Sequence, residues 1–152
     1  MSKARIVAKA IAFALYRLNV GETISNSGEV INELLHQAGV SSPNPWCVAT
    51  TNFICATTCA MLGLTPPIKI GASSSVLHVL ASAAGLLIDF EDIQSGDIMI
   101  LRGGPTGWKH TGFVYEVVDN GIWVIEGNIS NKIVKSFYNN YVDADFVRYF
   151  DA

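Results

Sequence analysis

Charged residues are scarce in this sequence, and no run of one sign stands out. Lys, Arg, Asp and Glu make up 15% of the 152 residues, and the net charge is −3. Without a basic run or an aromatic motif of the RNA-binding type, nothing indicates a nucleic-acid partner. Hydrophobic residues account for 50% of the chain, which is too many for a disordered protein and ample for a core. We therefore expect residues 1–152 to form a single domain of ordinary size.

Cysteine is also rare, and the chain contains only 3 cysteines. This low, odd number does not predict a disulfide framework. Cys55 and Cys59 are four positions apart, where disulfide geometry on one helix face is poor, and we predict that both are buried packing residues. His36, His78 and His110 lie far apart and match no zinc-ligand spacing. We therefore expect neither a metal nor a cofactor.

Long hydrophobic runs are missing as well. In the first segment, "MSKARIVAKAIAFALYRL", Lys9 and Arg17 interrupt the apolar residues, and no small-residue cleavage site follows. No window reaches the roughly 18 apolar residues that a membrane-spanning helix requires. We predict an amphipathic or buried helix here, and synthesis in the cytoplasm without a signal peptide. Any work outside the cell would then need a different route of release.

Hydrophobic periodicity divides the chain into a helical first half and a strand-rich second half. Helices are predicted at residues 3–18, 27–38, 46–62 and 73–85, with Gly39, Gly63 and Gly85 as stops and a Ser run to cap the fourth. Strands are predicted in "SGDIMILRG", in the hairpin "HTGFVYEVVDNGIWVIEGN" that turns at Asp119–Asn120–Gly121, and in "KIVKSFY" and "DFVRYF". Helices followed by an antiparallel sheet predict an α+β fold.

The first candidate site residue is Cys47, in the segment "PNPWCVATTNF". Cys47 falls at or just inside the start of the third predicted helix, where unpaired N–H groups and the helix dipole stabilise an anion. A thiolate there is favoured, so the thiol pKa should fall below its free value of about 8.5. The same N–H groups can face the oxyanion of a tetrahedral intermediate. Pro45 defines the entry to the helix, and Trp46 can form a wall of the site.

The second candidate is His110, which a Gly-rich loop places at the start of a predicted strand. A histidine there can accept a proton from the thiol and return it. The partner strand of the hairpin brings Glu126 and Asn128 back towards His110, on one side of the strand if its geometry is regular. Counting from the turn pairs Val114 roughly with position 127, which puts His110 near Asn128 and Ser130. This register does not decide whether Glu126 or Asn128 orients the histidine.

Each of these residues also has an ordinary structural explanation. A single Cys at the start of a helix is often structural, and a His beside a Gly-rich loop is usually a surface residue. Glu126 can face solvent, and Asn128 can belong to a turn. The combination in one chain, with the expected structural setting around each residue, favours a Cys–His–polar catalytic site. His36 and His78 lie inside predicted helices and lack that setting.

These same segments resemble a CHAP domain, the cysteine/histidine-dependent amidohydrolase/peptidase branch of the papain-like NlpC/P60 superfamily. The resemblance covers roughly residues 25–137. It is carried by "GEVINELLHQAGV", "NPWCVATTNF", "SGDIMIL", "KHTGFVYEV" and "VIEGNISNKIVKS". Singly these motifs are moderately specific, and their order along the chain makes the resemblance strong.

The resemblance implies a papain-like α+β fold, with N-terminal helices packed on a C-terminal antiparallel sheet, and hydrolysis of an amide bond in bacterial peptidoglycan. It implies that Cys47 is the nucleophile, that His110 is the base, and that Glu126 and Asn128 occupy the orienting positions. Trp46 and Trp108 are the expected substrate-binding residues.

Some members of the family bind calcium through acidic residues just ahead of the cysteine. Residues 37–46 contain no Asp or Glu, so that site is not expected here. We expect no separate wall-binding domain in these 152 residues, and we therefore expect targeting to come from the catalytic domain or from a partner protein. An inhibitor protein as partner is also left open.

Several alternatives remain open from the sequence alone. Sites of this type also carry out deamidation or acyl transfer on substrates other than the wall. A non-catalytic wall-binding or structural module is a further alternative, although such a module needs no Cys–His–polar combination. The sequence does not say whether the bond cut is the N-acetylmuramoyl-L-alanine amide or one within the peptide. A phage or prophage lysin, a virion-associated wall hydrolase and a secreted antibacterial effector all fit, and each would act on the wall in the periplasm or outside the cell.

Overall fold

A computed structural model describes residues 1–22, 25–129 and 131–152 of the chain. Within these ranges it contains four α-helices, six strands and one short 3-10 turn at Phe90–Asp92. The helices are α1 (Lys3–Arg17), α2 (Glu29–Gln37), α3 (Cys47–Leu62) and α4 (Ser74–Ala83). The strands are β1 (Leu87–Ile88), β2 (Ile98–Arg102), β3 (Trp108–Val118), β4 (Gly121–Ile129), β5 (Lys132–Asn139) and β6 (Ala144–Val147). The predicted α+β class, with helices before an antiparallel sheet, is confirmed.

The helix ends follow from local signals in the sequence. The Ser73 side chain accepts a hydrogen bond from the Val76 N–H and so caps α4, as the Ser run predicted. Gly63 takes a left-handed conformation with a φ of 65° directly after α3, a conformation that costs glycine no Cβ clash. Each of the four predicted helices therefore ends within two residues of the observed end.

The strands form one antiparallel sheet in the order β1-β6-β2-β3-β4-β5. One face packs against the helices through a core that includes Ile98, Phe113 and Ile125 from the sheet and Ile54 from α3. The opposite face carries a smaller cluster, which contains Met99, Val114, Ile122, Val124, Phe146 and Ile93. Because β3 and β4 have buried residues on both faces, each contains a continuous apolar stretch, residues 113–115 in β3 and 122–125 in β4.

The predicted hairpin is present, but its predicted register was wrong. Val118 pairs with Gly121, so the loop consists of Asp119 and Asn120, and Gly121 already belongs to β4. A bulge between Val114 and Glu116 then shifts the ladder further, so Val114 pairs with Val124 rather than with position 127. Ser130, which the predicted register placed near His110, lies outside the described residues.

Helix α1 is amphipathic, as predicted, but it also buries a charge. Its buried side includes Ala8, Ala12 and Leu15 together with Arg5. The Arg5 guanidinium contacts the Asp97 carboxylate at 3.1 Å and donates to the carbonyl oxygens of Ser95 and Phe150. This ion pair joins the first helix to the turn before β2, and the hydrogen bond to Phe150 joins the helix to the end of the chain. Among the described residues, no helix combines the length and apolar character that crossing a membrane requires.

Candidate active site

The candidate nucleophile, Cys47, is the first residue of α3. Trp46 precedes it with a non-helical φ of −121° and ψ of 15°, and the Trp46 carbonyl accepts hydrogen bonds from the N–H and the hydroxyl of Thr50. The first N–H groups of any α-helix have no partner within the helix, and they carry the positive end of its dipole. Cys47 is therefore at the helix position that best stabilises a thiolate. It is largely buried, with 8% of its surface exposed.

His110 and Glu126 form a hydrogen-bonded pair on adjacent strands. His110 lies in β3, and its Nε2 atom is 2.9 Å from Oε2 of Glu126 in β4. An ionised carboxylate can only accept hydrogen bonds, so Nε2 carries the proton. Glu126 is 1% exposed. This arrangement fixes the orientation of the imidazole ring and leaves Nδ1 for exchange of a proton with the thiol.

The pKa values of the thiol and the imidazole are shifted in opposite directions. Burial alone would raise the pKa of Cys47, but hydrogen bonding to His110, the charge of His110 and the N–H groups of Thr111 and Val48 together hold it below its ordinary value. Burial alone would lower the pKa of His110, but hydrogen bonds and charges from Cys47 and Glu126 raise it to about 9. Both shifts favour the thiolate–imidazolium form, which is the reactive state of such a pair.

Tyr138 of β5 extends this network beyond the residues that the sequence singled out. Its hydroxyl contacts both carboxylate oxygens of Glu126, Oε1 at 2.8 Å and Oε2 at 3.0 Å. Burial and the Glu126 charge raise the pKa of Tyr138 well above its ordinary value, so the phenol stays protonated and donates. No local pattern pointed to this residue, because Tyr138 pairs with Ile122, four positions along β4 from Glu126.

Two glycines create the space for these side chains. A Cβ added to Gly127 would lie 2.2 Å from Oγ1 of Thr50 and 2.8 Å from the Trp46 ring, so β4 approaches the first turn of α3 too closely for any side chain. A Cβ added to Gly112 would lie 2.4 Å from a methyl group of Val124 and 3.2 Å from Oε2 of Glu126. The site is thus assembled where backbone and side chain are in direct contact.

Two of the remaining predicted site residues, Asn128 and Trp46, lie in different settings. Asn128 has a φ of 61° at a bulge of β4, and it is Glu126 that contacts His110. Trp46 has no exposed surface, and its Nε1 donates to Oε1 of Glu22 at 3.0 Å, so it supports the start of α3 from inside and offers no surface to a substrate.

Trp108 is partly buried and lies at the start of β3. Its indole stacks on the His78 ring with a centroid distance of 3.9 Å, and the Arg102 guanidinium lies 4.7 Å from its centroid. Asp145 contacts both His78, at 2.8 Å, and Arg102. His78 therefore belongs to this stack, which is separate from the Cys47–His110 pair.

The other two cysteines lie deeper in α3. Cys47, Cys55 and Cys59 are all free thiols, and the prediction that Cys55 and Cys59 are buried is confirmed. Burial and the neighbouring Cys59 raise the pKa of Cys55 well above its ordinary value, which keeps it an unreactive thiol. Of the three thiols, only Cys47 lies beside a histidine that can activate it.

This arrangement has the parts needed for nucleophilic catalysis: an activated thiol, a base oriented by a buried carboxylate, and helix N–H groups beside the sulfur. Within residues 1–22, 25–129 and 131–152, no group of three or more His, Cys, Asp or Glu side chains is arranged to hold a metal ion. Comparisons of the chain with models of protein families, with curated proteins and with solved structures gave no match, and the chemistry of the site therefore has to be judged from its own residues.

Proposed function

We propose that this chain is a thiol hydrolase of the CHAP type that cleaves an amide bond of bacterial peptidoglycan. The observation that carries the hydrolase chemistry is the hydrogen bond of His110 to the buried Glu126, together with the effect of His110 in lowering the pKa of Cys47 against its burial. A papain-like arrangement is supported by a cysteine that begins a helix packed on an antiparallel sheet, with the histidine and its carboxylate on adjacent strands. The choice of peptidoglycan as substrate is supported by the motif resemblance around Cys47 and His110.

In the proposed reaction, the Cys47 thiolate attacks the carbonyl carbon of the substrate amide and forms a tetrahedral intermediate. The Cys47 N–H, which has no partner within α3 because it is at the first helical position, donates to the oxyanion. The His110 imidazolium then gives its proton to the departing amine, and a thioester to Cys47 remains.

Hydrolysis of the thioester regenerates the enzyme. His110, now neutral, accepts a proton from a water molecule as the water attacks the thioester carbonyl, and the thiolate of Cys47 leaves. Glu126 accepts a hydrogen bond from Nε2 throughout and stabilises the imidazolium each time it forms, without itself taking the proton. The products are a free amine and a carboxylate.

The experiment that tests this proposal compares wild-type protein with Cys47→Ala and Cys55→Ala on purified peptidoglycan. Cys55→Ala is the matched control, because it removes a buried thiol from the same helix away from His110. We expect Cys47→Ala to lose activity by roughly 10⁴-fold or more, as for removal of other covalent nucleophiles. Its circular dichroism spectrum should match that of wild type. Cys55→Ala should retain the activity, although a buried small cavity lowers its stability.

Mass analysis of the digest identifies the bond. Free N-terminal alanine on intact stem peptides would indicate an amidase, whereas cut stems or cross-bridges would indicate an endopeptidase. If Cys47→Ala digests the wall as fast as wild type does, the proposal is refuted. If no wall product forms although Cys47 is reactive towards iodoacetamide, the substrate is wrong, and a deamidase or acyltransferase becomes the better explanation.

A further inference from the structure

The Glu126 carboxylate is an anion removed from water, and it requires hydrogen-bond donors. It is 1% exposed, and within the described part of the chain two groups donate to it, Nε2 of His110 and the hydroxyl of Tyr138. Gly112, on β3 beside this carboxylate, leaves room for it but contributes no side chain. A buried carboxylate is stabilised in its charged form by each donor it keeps, and it loses that stabilisation when a donor is removed.

The Tyr138 hydroxyl meets both oxygens of this carboxylate, whereas His110 meets one. The two contacts of the hydroxyl, at 2.8 and 3.0 Å, hold the carboxylate against rotation. Oε2 is shared by both donors, so the orientation of the His110 ring and the position of the Tyr138 hydroxyl depend on the same atom.

We infer that Tyr138 is a positioning residue of this site, which acts on Cys47 through Glu126 and His110. This inference rests on the proposed function only in its effect on turnover; its effect on the thiol is independent of any substrate. Hydrogen bonds join the Tyr138 hydroxyl to the Glu126 carboxylate and the carboxylate to the imidazole, and the imidazole in turn holds down the pKa of the Cys47 thiol against the effect of burial.

Removal of the hydroxyl has a predictable direction. In Tyr138→Phe the carboxylate loses the donor that holds both of its oxygens, so it can rotate out of its contact with Nε2 of His110, and the imidazolium that depends on this contact is less stable. When the imidazolium of His110 is less stable, a smaller fraction of Cys47 is present as thiolate at a given pH. A hydrogen bond to a charged group is strong enough to shift a pKa by about one to two units. Because the effect reaches Cys47 through two residues, we expect its ionisation midpoint to rise by about 0.5–1 pH unit.

The experiment measures the rate of alkylation of Cys47 by iodoacetamide as a function of pH, with mass spectrometry to identify the modified residue. The variants are Tyr138→Phe, Glu126→Gln and the double variant. Tyr149→Phe is the matched control, because it removes the hydroxyl of a buried tyrosine that contacts Cys59 at 3.8 Å. Phe keeps the ring of Tyr138, and thermal unfolding of each variant checks that the fold is retained.

We expect the midpoint to rise in Tyr138→Phe, to stay at the wild-type value in Tyr149→Phe, and to show no further change when Tyr138→Phe is added to Glu126→Gln. This last result separates an effect through Glu126 from a general loosening of the fold. On a wall substrate, kcat should fall about 10-fold with KM within about twofold, since the inferred role of Tyr138 is to position Glu126 and not to bind substrate.

The inference is overturned if the ionisation midpoint of Cys47 in Tyr138→Phe equals that of wild type. It is also overturned if Tyr138→Phe shifts this midpoint as much in the Glu126→Gln variant as it does in wild type. If the ionisation midpoints of Cys47 shift as expected but the protein digests no peptidoglycan, the positioning role of Tyr138 stands and the proposed substrate is refuted.

Discussion

Gly127→Ala tests the close approach of β4 to α3 on which the candidate site depends. The added Cβ would lie 2.2 Å from Oγ1 of Thr50 and 2.8 and 2.9 Å from two atoms of the Trp46 ring, where ordinary contacts begin at 3.4 Å. Neither neighbour can move away easily. Thr50 is buried with its hydroxyl bonded to the Trp46 carbonyl, and Trp46 has no exposed surface.

The strand and the helix must therefore separate, or the first turn of α3 must repack. Overpacking of this kind costs about 1–3 kcal/mol of stability. Gly127 directly follows Glu126, so a shift of β4 also moves the carboxylate away from His110. A misplacement of about 1 Å at a catalytic group can lower the rate about 100-fold, and we expect a loss of that order in kcat/KM.

Urea unfolding followed by circular dichroism measures the first effect, and the peptidoglycan assay measures the second. Gly21→Ala is the control, since among the described residues its added Cβ would meet the Asn131 carbonyl oxygen alone, at an ordinary 3.5 Å. This control should be within about 0.5 kcal/mol of wild type or slightly more stable. If Gly127→Ala is as stable as Gly21→Ala, the described packing of β4 on α3 is incorrect.

Two further predictions concern charge. Arg5→Met leaves the fully buried Asp97 carboxylate with Arg148 as its one ion-pair partner among the described residues. We expect the free energy of unfolding in urea to fall by about 3 kcal/mol. A fall no greater than that of the exposed control Arg17→Met would contradict this expectation. The raised pKa of His110, about 9, and the lowered pKa of Cys47 predict a bell-shaped dependence of kcat/KM on pH. The alkaline limb, where the imidazolium loses the proton that the leaving amine needs, should lie near pH 9, and an alkaline limb near the ordinary histidine value of 6.5 would contradict the described pair.

The sequence predicted the helices well because the signals that end them are local. Gly63 stops α3 by its left-handed conformation and Ser73 caps α4, and both effects depend only on nearby residues. For the same reason, the position of Cys47 at the start of a helix could be predicted from the residues on either side of it. Strand β1, with only two residues, and the 3-10 turn at Phe90–Asp92 were not predicted, since segments of two or three residues are too short to show a hydrophobic period.

The pairing of β3 with β4 could not be predicted in the same way. The register depends on which residues form the loop and on the bulge between Val114 and Glu116, and no single residue type marks a bulge. The same limit hid Tyr138, because its hydroxyl reaches Glu126 from a ladder position four residues away. Side chains on neighbouring strands are expected to interact when they are directly opposite or diagonal to each other, and both arrangements are closer than four ladder positions.

Bulges also explain why strand alternation misjudged the residues around the site. Glu126 and Asn128 are two positions apart and were expected to point to the same side, but the β4–β5 ladder shifts between Glu126 and Ile129. A second shift, between Leu101 and Arg102, occurs where β3 contains Trp108 and His110. These two are also two positions apart, yet Trp108 stacks on a helix side chain while His110 turns to Glu126. A bulge re-aims the side chains next to it, so the two irregularities select Glu126 as the partner of His110 and direct Trp108 towards α4.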